Sequence, residues 1–342
     1  MPDHRPIRIL HSVGSMNRGG TETWLMHLLR RIDRRRFKMD FLVRTSRPGA
    51  YDSEARSLGA NVIPCTDPTR PWQFIPALKN ALSRHGPYDI VHSYGLHYAT
   101  GAILRCAARM GIPGRIAHCR DDAAQIASMS VAHRIAGAVC RRLVRKHAVM
   151  GFAVSSNAAE NMFGPNWKSD PRVSILPGAL DMDPFHESVD PHEARSSLGI
   201  PDSAFVVGHV GRFDKVKNHD FIIEIMREIV RKQPDACLLL IGDGPLRPRI
   251  ERKAADVGLA NRTIFAGSRS DVPRLLLGAV DVFLFPSFSE GLPVVGMEVQ
   301  CAGVPLVLTD TITDELEVVK PLFHRLPLTR SATDWAAKHC PA

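Results

Sequence analysis

Short apolar segments alternate with helix-like segments along most of the 342 residues. "IRILHSV", "KMDFLVR" and "DIVHS" in the first half, and "FVVGHVG", "ACLLLIGDG" and "VDVFLFPS" in the second, have the pattern of buried strands. Strands buried on both faces and separated by helices are typical of parallel sheets. Residues 177–203 are rich in Pro, Asp and Ser and indicate an interdomain connection. We therefore predict two Rossmann-like parallel-sheet α/β domains, residues 1–180 and 181–342, that face each other across a cleft.

The composition is that of a globular chain, with 44% hydrophobic and 23% charged residues. The sequence contains no run of roughly 18 apolar residues and no recognisable signal peptide at its start, so we expect a cytoplasmic protein. The seven cysteines are scattered and form no CxxC pair. This pattern predicts neither a zinc site nor a disulfide framework.

The charge is unevenly distributed between the two halves. Residues 1–180 contain 26 Lys and Arg against 12 Asp and Glu, whereas the remainder contains 18 against 23. Many of the basic residues fall in segments 28–38 and 133–149, where apolar positions are interleaved as in amphipathic helices. Two interpretations stay open: these helices rest on anionic lipid headgroups, or they present an ordinary solvated face. We expect no nucleic-acid partner.

Two carboxylates lie in the stretch "SFSEGLPVVGMEVQCAGVP", residues 287–305. The preceding apolar run predicts a strand ending near Phe285, and the proline predicts a helix beginning near Pro293. Glu290 would then lie on the loop and Glu298 in the early turns of the helix. A helix start attracts anions through its free N–H groups and its dipole. This arrangement suggests a site for a sugar that carries phosphate.

Two cations follow the first predicted strand of the second half, in "VGRFDKVKNHDF". Arg212 and Lys217 precede a helix that Asn218 could cap, so we expect both side chains to converge on a phosphate.

Three further features have weaker signals. The loop with Gly19 and Gly20 follows the first strand, but it matches neither GxGxxG nor the P-loop, so a simple tight turn is the alternative. His118 ends a predicted strand and could equally be a satisfied core residue. Asp181 and Asp183 lie in the predicted connection, away from any strand end, and we predict no metal site there.

The order and spacing of these motifs resemble those of a known family. "VGRFDKVKNHDF", "LIGDGP", "FAGSRSDV" and the carboxylate stretch resemble the nucleotide-sugar domain of the retaining GT-B glycosyltransferases of the large family 4 type. That family includes many exopolysaccharide and capsule enzymes. "ILHSVGSMNRGGTETWLMHLL", "YDIVHSYG" and "RIAHCRDD" are similar to its acceptor domain, so the resemblance covers nearly the whole chain.

The resemblance implies a role for each matching residue. It places Arg212 and Lys217 at the donor diphosphate, Glu298 at the ribose hydroxyls, and Glu290 and His118 near the donor sugar. It also places a set of substrate-binding residues around the donor and acceptor: Gly19, Gly20, Gly211, Gly291, Leu292 and Pro293.

The activity implied is metal-independent transfer of a hexose, with retention, from a UDP- or GDP-sugar to a glycan or a lipid-linked acceptor. No cofactor is expected besides the donor substrate. The expected location is the cytoplasm, where a lipid-linked acceptor would bring the protein to the inner face of the plasma membrane. One departure is a short C-terminal segment, in which a short helix around Trp335 stands where the family has a longer helix that crosses back to the first domain. The alternatives are a degenerate nucleotide- or glycan-binding protein without turnover, and a nucleotide-sugar epimerase or phosphorylase.

Overall fold

The computed structural model describes residues 5–65, 71–95, 98–120 and 131–338. The chain divides into two compact units, Met1–Ala179 and Leu180–Ala342. Each unit is built on its own sheet, and every strand pair within the described residues is parallel. The predicted fold class of two parallel-sheet α/β domains is therefore confirmed.

The first unit carries a sheet of seven strands among the described residues, in the order β3-β2-β1-β4-β5-β6-β7. The strands are β1 (Ile7–Val13), β2 (Phe37–Val43), β3 (Val62–Pro64), β4 (Ile90–Tyr94), β5 (Gly114–Cys119), β6 (Met150–Ala153) and β7 (Val173–Ile175). The chain winds outward from β1 to β3 and then restarts beside β1 with β4. The strand order thus reverses between β1 and β4, and the carboxyl ends of strands at such a switch point are the usual place for a ligand.

The helices of the first unit connect these strands. They are α1 (Gly20–Arg31), α2 (Asp52–Ser57), α3 (Pro71–His85), α4 (Tyr98–Arg109), α5 (Val131–His147) and α6 (Ser156–Phe163). The start of α6 shows why the sequence favours a helix there, because the Ser155 side chain accepts a hydrogen bond from the N–H of Ala158 and caps the first turn.

The second unit carries a sheet of six strands among the described residues, in the order β10-β9-β8-β11-β12-β13. The strands are β8 (Val206–Val210), β9 (Cys237–Ile241), β10 (Thr263–Gly267), β11 (Val282–Phe285), β12 (Leu306–Thr309) and β13 (Phe323–Leu326). The helices are α7 (Pro191–Ser196), α8 (His219–Lys232), α9 (Arg247–Asp256), α10 (Val272–Gly278), α11 (Val294–Cys301) and α12 (Ala332–Ala337). The switch point of this sheet lies between β8 and β11.

The segment that we expected to connect the domains is largely folded into the second unit. A single 3₁₀ turn, Asp183–Phe185, is followed by α7, which packs against α10. The Arg195 guanidinium lies 3.0 Å from both carboxylate oxygens of Asp281, at the start of β11. Proline and aspartate at the beginning of α7 act as helix-start residues here, because Asp190 caps the helix.

The helix expected around Trp335 is present as α12, and it packs on α8. The Trp335 ring is fully buried, its centroid lies 5.6 Å from that of Phe221, and its indole N–H donates to the Pro327 carbonyl. A Ser331 capping box begins the helix. This indole therefore anchors the last helix to the core of the second unit.

Trp335→Ala should lower the free energy of unfolding of the second unit by about 3–5 kcal/mol, because it removes a fully buried aromatic side chain and leaves a cavity. Denaturant titration followed by circular dichroism measures this loss. Trp72→Ala is the matched control, since that ring is 72% exposed and its removal should cost less than about 0.5 kcal/mol. Equal effects of the two substitutions would contradict the anchoring role of Trp335.

Candidate active site

Two glycine loops touch at the carboxyl ends of β8 and β9. A Cβ added to Gly242, whose φ is +136°, would lie 2.1 Å from the Gly211 carbonyl oxygen, and one added to Gly211 would lie 2.9 Å from His209 Nε2. The Gly211 N–H donates to the Ile241 carbonyl at 2.9 Å. Only residues without a side chain permit this backbone contact, so the two glycines let the loops after β8 and β9 approach each other closely.

Lys217 and Glu290 form an ion pair beside these loops. Lys217 Nζ donates to Glu290 Oε1 at 2.6 Å, and the two side chains are only 17% and 11% exposed. The ammonium also lies 5.3 Å from the centroid of the Phe285 ring, at the end of β11. Asp214 shapes the loop that carries the lysine, because its carboxylate accepts the backbone N–H groups of Val216 and Lys217. The predicted cation and the first predicted carboxylate are thus brought together.

Arg212 stands apart from that pair. Its side chain is exposed, and within the part of the chain that the structure describes its guanidinium has no hydrogen-bond or ion-pair partner. Its convergence with Lys217 on a phosphate therefore stays a prediction. Asn218 does occupy the N-cap position of α8, but its side chain does not cap the helix. Its backbone is left-handed, with φ 55°, and its amide donates to the Pro286 carbonyl, so the predicted side-chain cap is wrong.

Glu298 lies in the second turn of α11, which begins directly after Pro293 as the sequence predicts. Desolvation raises the pKa of this partly buried carboxyl to about 7. No described residue donates a hydrogen bond to it. Gly291, Leu292 and Pro293 form the buried approach to the helix. The carboxyl is therefore partly desolvated, and its oxygens are available as acceptors.

Other polar groups at these strand ends were not predicted from the sequence. The hydroxyls of Ser287 and Ser289 are buried without a partner among the described residues. The Nδ1–H of His209 donates to the Leu284 carbonyl at 2.8 Å, and burial lowers its pKa far below the usual range, so the ring is neutral. Its Nε2 is then a free acceptor against the Gly211 loop. Each of these residues lies in or just after a buried strand, and a polar residue at that position is the sequence signal that would have predicted them.

The predicted glycine loop of the first unit leads into α1. Gly19 is the N-cap residue in an extended conformation, and Gly20 is the first helical residue. Four residues later Trp24 reaches back to the sheet, with its ring centroid 5.8 Å from that of His118. The loop is thus tied to the strand that carries the predicted histidine.

His118 is the end of a hydrogen-bonded series, which we call the histidine–tyrosine chain: His11, Tyr94, His92 and His118. His11 Nδ1 lies 2.9 Å from the Tyr94 hydroxyl, the same hydroxyl lies 3.1 Å from His92 Nδ1, and His92 Nε2 lies 3.3 Å from His118 Nδ1. All four side chains are buried. The outer nitrogens, Nε2 of His11 and Nε2 of His118, have no hydrogen-bond partner among the described residues.

The three imidazoles of this chain are neutral. Burial lowers the pKa of His11 and of His118 to about 3, and it lowers that of His92 well below its ordinary value. Asp40 opposes the shift at His11, and the Leu176 backbone opposes it at His118, but desolvation dominates in both cases. The sequence offered one signal for the chain, since "HS" occurs in both β1 and β4 and the two pairs stand in register.

Two further properties concern metals and membranes. Within the described ranges, no group of three or more His, Cys, Asp and Glu side chains is placed to hold a metal ion. Among the helices described, none has the length and apolar character to cross a membrane.

Two parallel-sheet α/β units, each with a switch point in its strand order, form an architecture that the chain shares with GT-B glycosyltransferases. Residues 19–177 match the model of the glycosyl transferase 4-like domain, and residues 190–338 match that of the glycosyl transferases group 1. EpsF of Bacillus subtilis (strain 168), which is named as a glycosyltransferase, is 33% identical over 334 residues, covering 96% of this chain and 86% of that protein. The chain therefore belongs to the group 1 glycosyltransferases.

A more distant sequence relative and a solved structure are also similar to this chain. An Escherichia coli UDP-Gal:alpha-D-GlcNAc-diphosphoundecaprenol alpha-1,3-galactosyltransferase is 28% identical over 236 residues, covering 65% of this chain and 58% of that protein. The crystal structure of Anabaena HepE in complex with UDP and glucose superimposes with a TM-score of 0.78 at 20% identity, over 97% of this chain and 88% of that one.

Glu298→Gln should stabilise the protein more at high pH than at low pH. The folded-state pKa of about 7 exceeds the ordinary value of 4.5, so ionisation favours the unfolded state as pH rises through this window. The advantage of the variant should grow from near zero at pH 4 to roughly 3 kcal/mol at pH 8. Denaturant titrations at several pH values measure it, with the exposed Glu187→Gln as control. A difference that does not change with pH would contradict the raised pKa.

Proposed function

We propose that the protein transfers a hexose, with retention of configuration and without a metal ion, from a UDP- or GDP-sugar to a glycan or lipid-linked acceptor in surface polysaccharide synthesis. The observation that carries this proposal is the shielded Lys217–Glu290 ion pair beside the glycine loops of the second switch point. An ammonium fixed at that edge is suited to an anionic leaving group.

Lys217 is suited to bind the diphosphate while it keeps its partner. An ammonium has three donors, and one of them is used by Glu290. Two donors remain for phosphate oxygens, and the position of the cation is set in advance by the carboxylate and the Phe285 ring. Because such a group needs no rearrangement when charge develops on the leaving phosphate, it can lower the barrier by about 3 kcal/mol.

Arg212 and the start of α11 supply the remaining positive potential. The guanidinium is exposed and offers a planar set of donors that matches phosphate oxygens. The helix that begins after Pro293 adds free backbone N–H groups. Together with Lys217, these groups can take the place of a divalent cation, which is the physical support for metal independence.

Glu298 is the residue we assign to the ribose. Its carboxyl has no partner among the described residues, and its raised pKa reflects that isolation. Two ribose hydroxyls would donate to it, favour its ionised form and recover the cost of burial. We assign Glu290 to the sugar hydroxyls through Oε2, because Oε1 accepts from Lys217.

Retention requires the new bond to form on the face from which the old bond breaks. In the proposed step the anomeric carbon–phosphate oxygen bond breaks, the acceptor oxygen forms its bond to the same carbon, and the acceptor proton moves to the departing phosphate oxygen. No protein base is needed in this scheme. His118 contributes through its unpartnered Nε2, which a sugar hydroxyl would satisfy.

The relatives support the class of acceptor. The name of the E. coli galactosyltransferase gives a sugar on diphosphoundecaprenol as its acceptor. This similarity favours a lipid-linked acceptor for the present protein and, with it, work at the inner face of the plasma membrane.

The exposed face of α5 supports contact with an anionic membrane. Ile135 and Val139 are exposed apolar residues on this helix, and Arg142, Arg145 and Lys146 continue the same face one and two turns later. Aliphatic side chains beside cations suit a surface that has both acyl chains and phosphate groups. We therefore propose that α5 rests on anionic lipid.

Lys217→Ala should reduce hexose transfer at least tenfold, equivalent to about 1.4 kcal/mol of barrier. The assay presents UDP- and GDP-sugars with a diphosphoundecaprenol-linked sugar in the presence of EDTA and follows the transferred hexose and its anomeric configuration. Lys215→Ala, which removes an exposed lysine two residues away, should leave the rate unchanged. Loss of all turnover on chelation, an inverted product, or an unchanged Lys217→Ala rate would each contradict the corresponding part of the proposal.

Arg142→Glu combined with Arg145→Glu should weaken binding to phosphatidylglycerol vesicles at least tenfold, because each cation near an anionic surface contributes about 1 kcal/mol. Co-sedimentation at fixed salt measures this, and binding to phosphatidylcholine vesicles should be weak throughout. Arg227→Glu with Arg252→Glu makes the same change of charge at exposed positions of the second unit and is the control. Equal loss in both double variants would show that net charge, and not α5, decides binding.

A further inference from the structure

The histidine–tyrosine chain leaves few ways to place its protons. Each neutral imidazole carries one ring proton and the phenol carries one, so four protons serve three hydrogen bonds and one outer nitrogen. If Tyr94 accepted from both neighbouring rings, its own buried hydroxyl proton would have no acceptor. If two ring N–H groups faced each other between His92 and His118, they would repel.

Two arrangements remain, and they run in opposite directions. In the first, His11 donates to Tyr94, Tyr94 donates to His92 and His92 donates to His118, so His118 presents an Nε2–H donor at the outer end. In the second, every bond is reversed and His118 presents a bare Nε2 acceptor. The proton position on His118 is thus coupled to groups three hydrogen bonds away. The Leu176 backbone acts on the His118 ring as a hydrogen-bond acceptor, and an acceptor beside the outer end of the chain favours the first arrangement.

The surroundings favour a chain that acts as one unit. The four side chains lie on one face of the sheet, in β1, β4 and β5, and the strands hold His11 in register with His92, and Tyr94 in register with His118. The lowered pKa of each ring keeps it neutral at physiological pH. Doubly protonated rings, which would donate from both nitrogens and uncouple the two neighbouring bonds, are therefore absent. Trp24 packs against the Tyr94 and His118 rings and limits their rotation.

We propose that His11, His92 and Tyr94 are positioning residues that hold His118 in the first arrangement, so that its Nε2 carries the proton and donates to a sugar hydroxyl. This inference rests on the proposed function only for the identity of the ligand. A single tautomer matters for transfer, because a ring that samples both forms would repel the same hydroxyl proton part of the time. The residues act through His118 and do not touch substrate themselves.

Nitrogen-15 NMR of the full-length protein labelled at histidine tests the proposal without any substrate. Protonated and bare ring nitrogens have well-separated shifts, and His118→Gln identifies the His118 signals by their loss. We expect one protonated and one bare nitrogen for His118 in the wild type. In Tyr94→Phe the bridge between His11 and His92 is gone, so the His118 signals should move to averaged positions.

Tyr88→Phe is the matched control. It also removes a buried tyrosine hydroxyl from the same unit, one that donates to Asp40 at 3.0 Å, but it leaves every bond of the chain in place. Its His118 signals should match those of the wild type. Averaged His118 signals in the wild type, or a single unchanged tautomer in Tyr94→Phe, would overturn the proposal.

A second variant covers the case in which Tyr94→Phe does not fold. In His11→Phe the Tyr94 hydroxyl retains only His92 as acceptor, which forces the first arrangement, so His118 must carry its proton on Nε2. A proton on Nδ1 in that variant would also overturn the coupling.

In a working transfer assay, Tyr94→Phe should lower kcat at least threefold and leave UDP affinity unchanged, because the histidine–tyrosine chain and the candidate nucleotide residues lie in different units. Failure of the transfer assay alone would count against the proposed function and leave the NMR result standing.

Discussion

The constraint on which the rest of this structure depends is the desolvation of polar groups at the ends of parallel strands. A parallel sheet brings the carboxyl ends of its strands to one edge, and the order reversals between β1 and β4 and between β8 and β11 leave that edge open at one place in each unit. Residues just inside this edge are flanked by core strands and helices. A polar side chain there loses its contact with water. It is then either paired within the protein, neutral because its pKa is shifted, or unpaired until a ligand binds.

The two units meet this constraint in different ways. In the second unit a cation and an anion are brought to 2.6 Å, so Lys217 and Glu290 can both remain charged while mostly buried. In the first unit the polar groups are imidazoles and a phenol, and the nearest carboxylate of consequence, Asp40, is too weak an influence to hold a proton on His11. These rings stay neutral and depend on hydrogen bonds. The site in the second unit is therefore organised by charge, which under the proposed function suits a phosphate. The site in the first unit is organised by proton position, which suits sugar hydroxyls.

The sequence was sufficient to predict the fold class because its signals are local: strand-length apolar runs and the prolines and glycines that end them. It also predicted the start of α11 and the helix around Trp335. It could not predict that Lys217 pairs with Glu290, since the two are far apart in the chain and only the pairing of β8 with β11 makes them neighbours. The Asn218 cap failed for a similar reason, because the side chain donates to the Pro286 carbonyl next to β11 and the backbone is left-handed, which directs the side-chain oxygen away from the first turn. The histidine–tyrosine chain was missed because its members lie on three strands, and no single segment shows more than one link.

The groups left without partners are informative about which residues bind. The Ser287 and Ser289 hydroxyls and the Nε2 of His118 each carry a cost of about 1–3 kcal/mol when buried and unpaired. The partly buried Glu298 carboxyl carries a desolvation cost that its raised pKa reflects. A chain selected for stability alone would gain by replacing them with apolar residues of similar size. They stand instead next to strand ends, helix starts and glycine loops, where a ligand with many hydroxyls and phosphates could supply the missing donors and acceptors. Buried polar groups that destabilise the free protein are, on this argument, the same groups that make the bound state favourable.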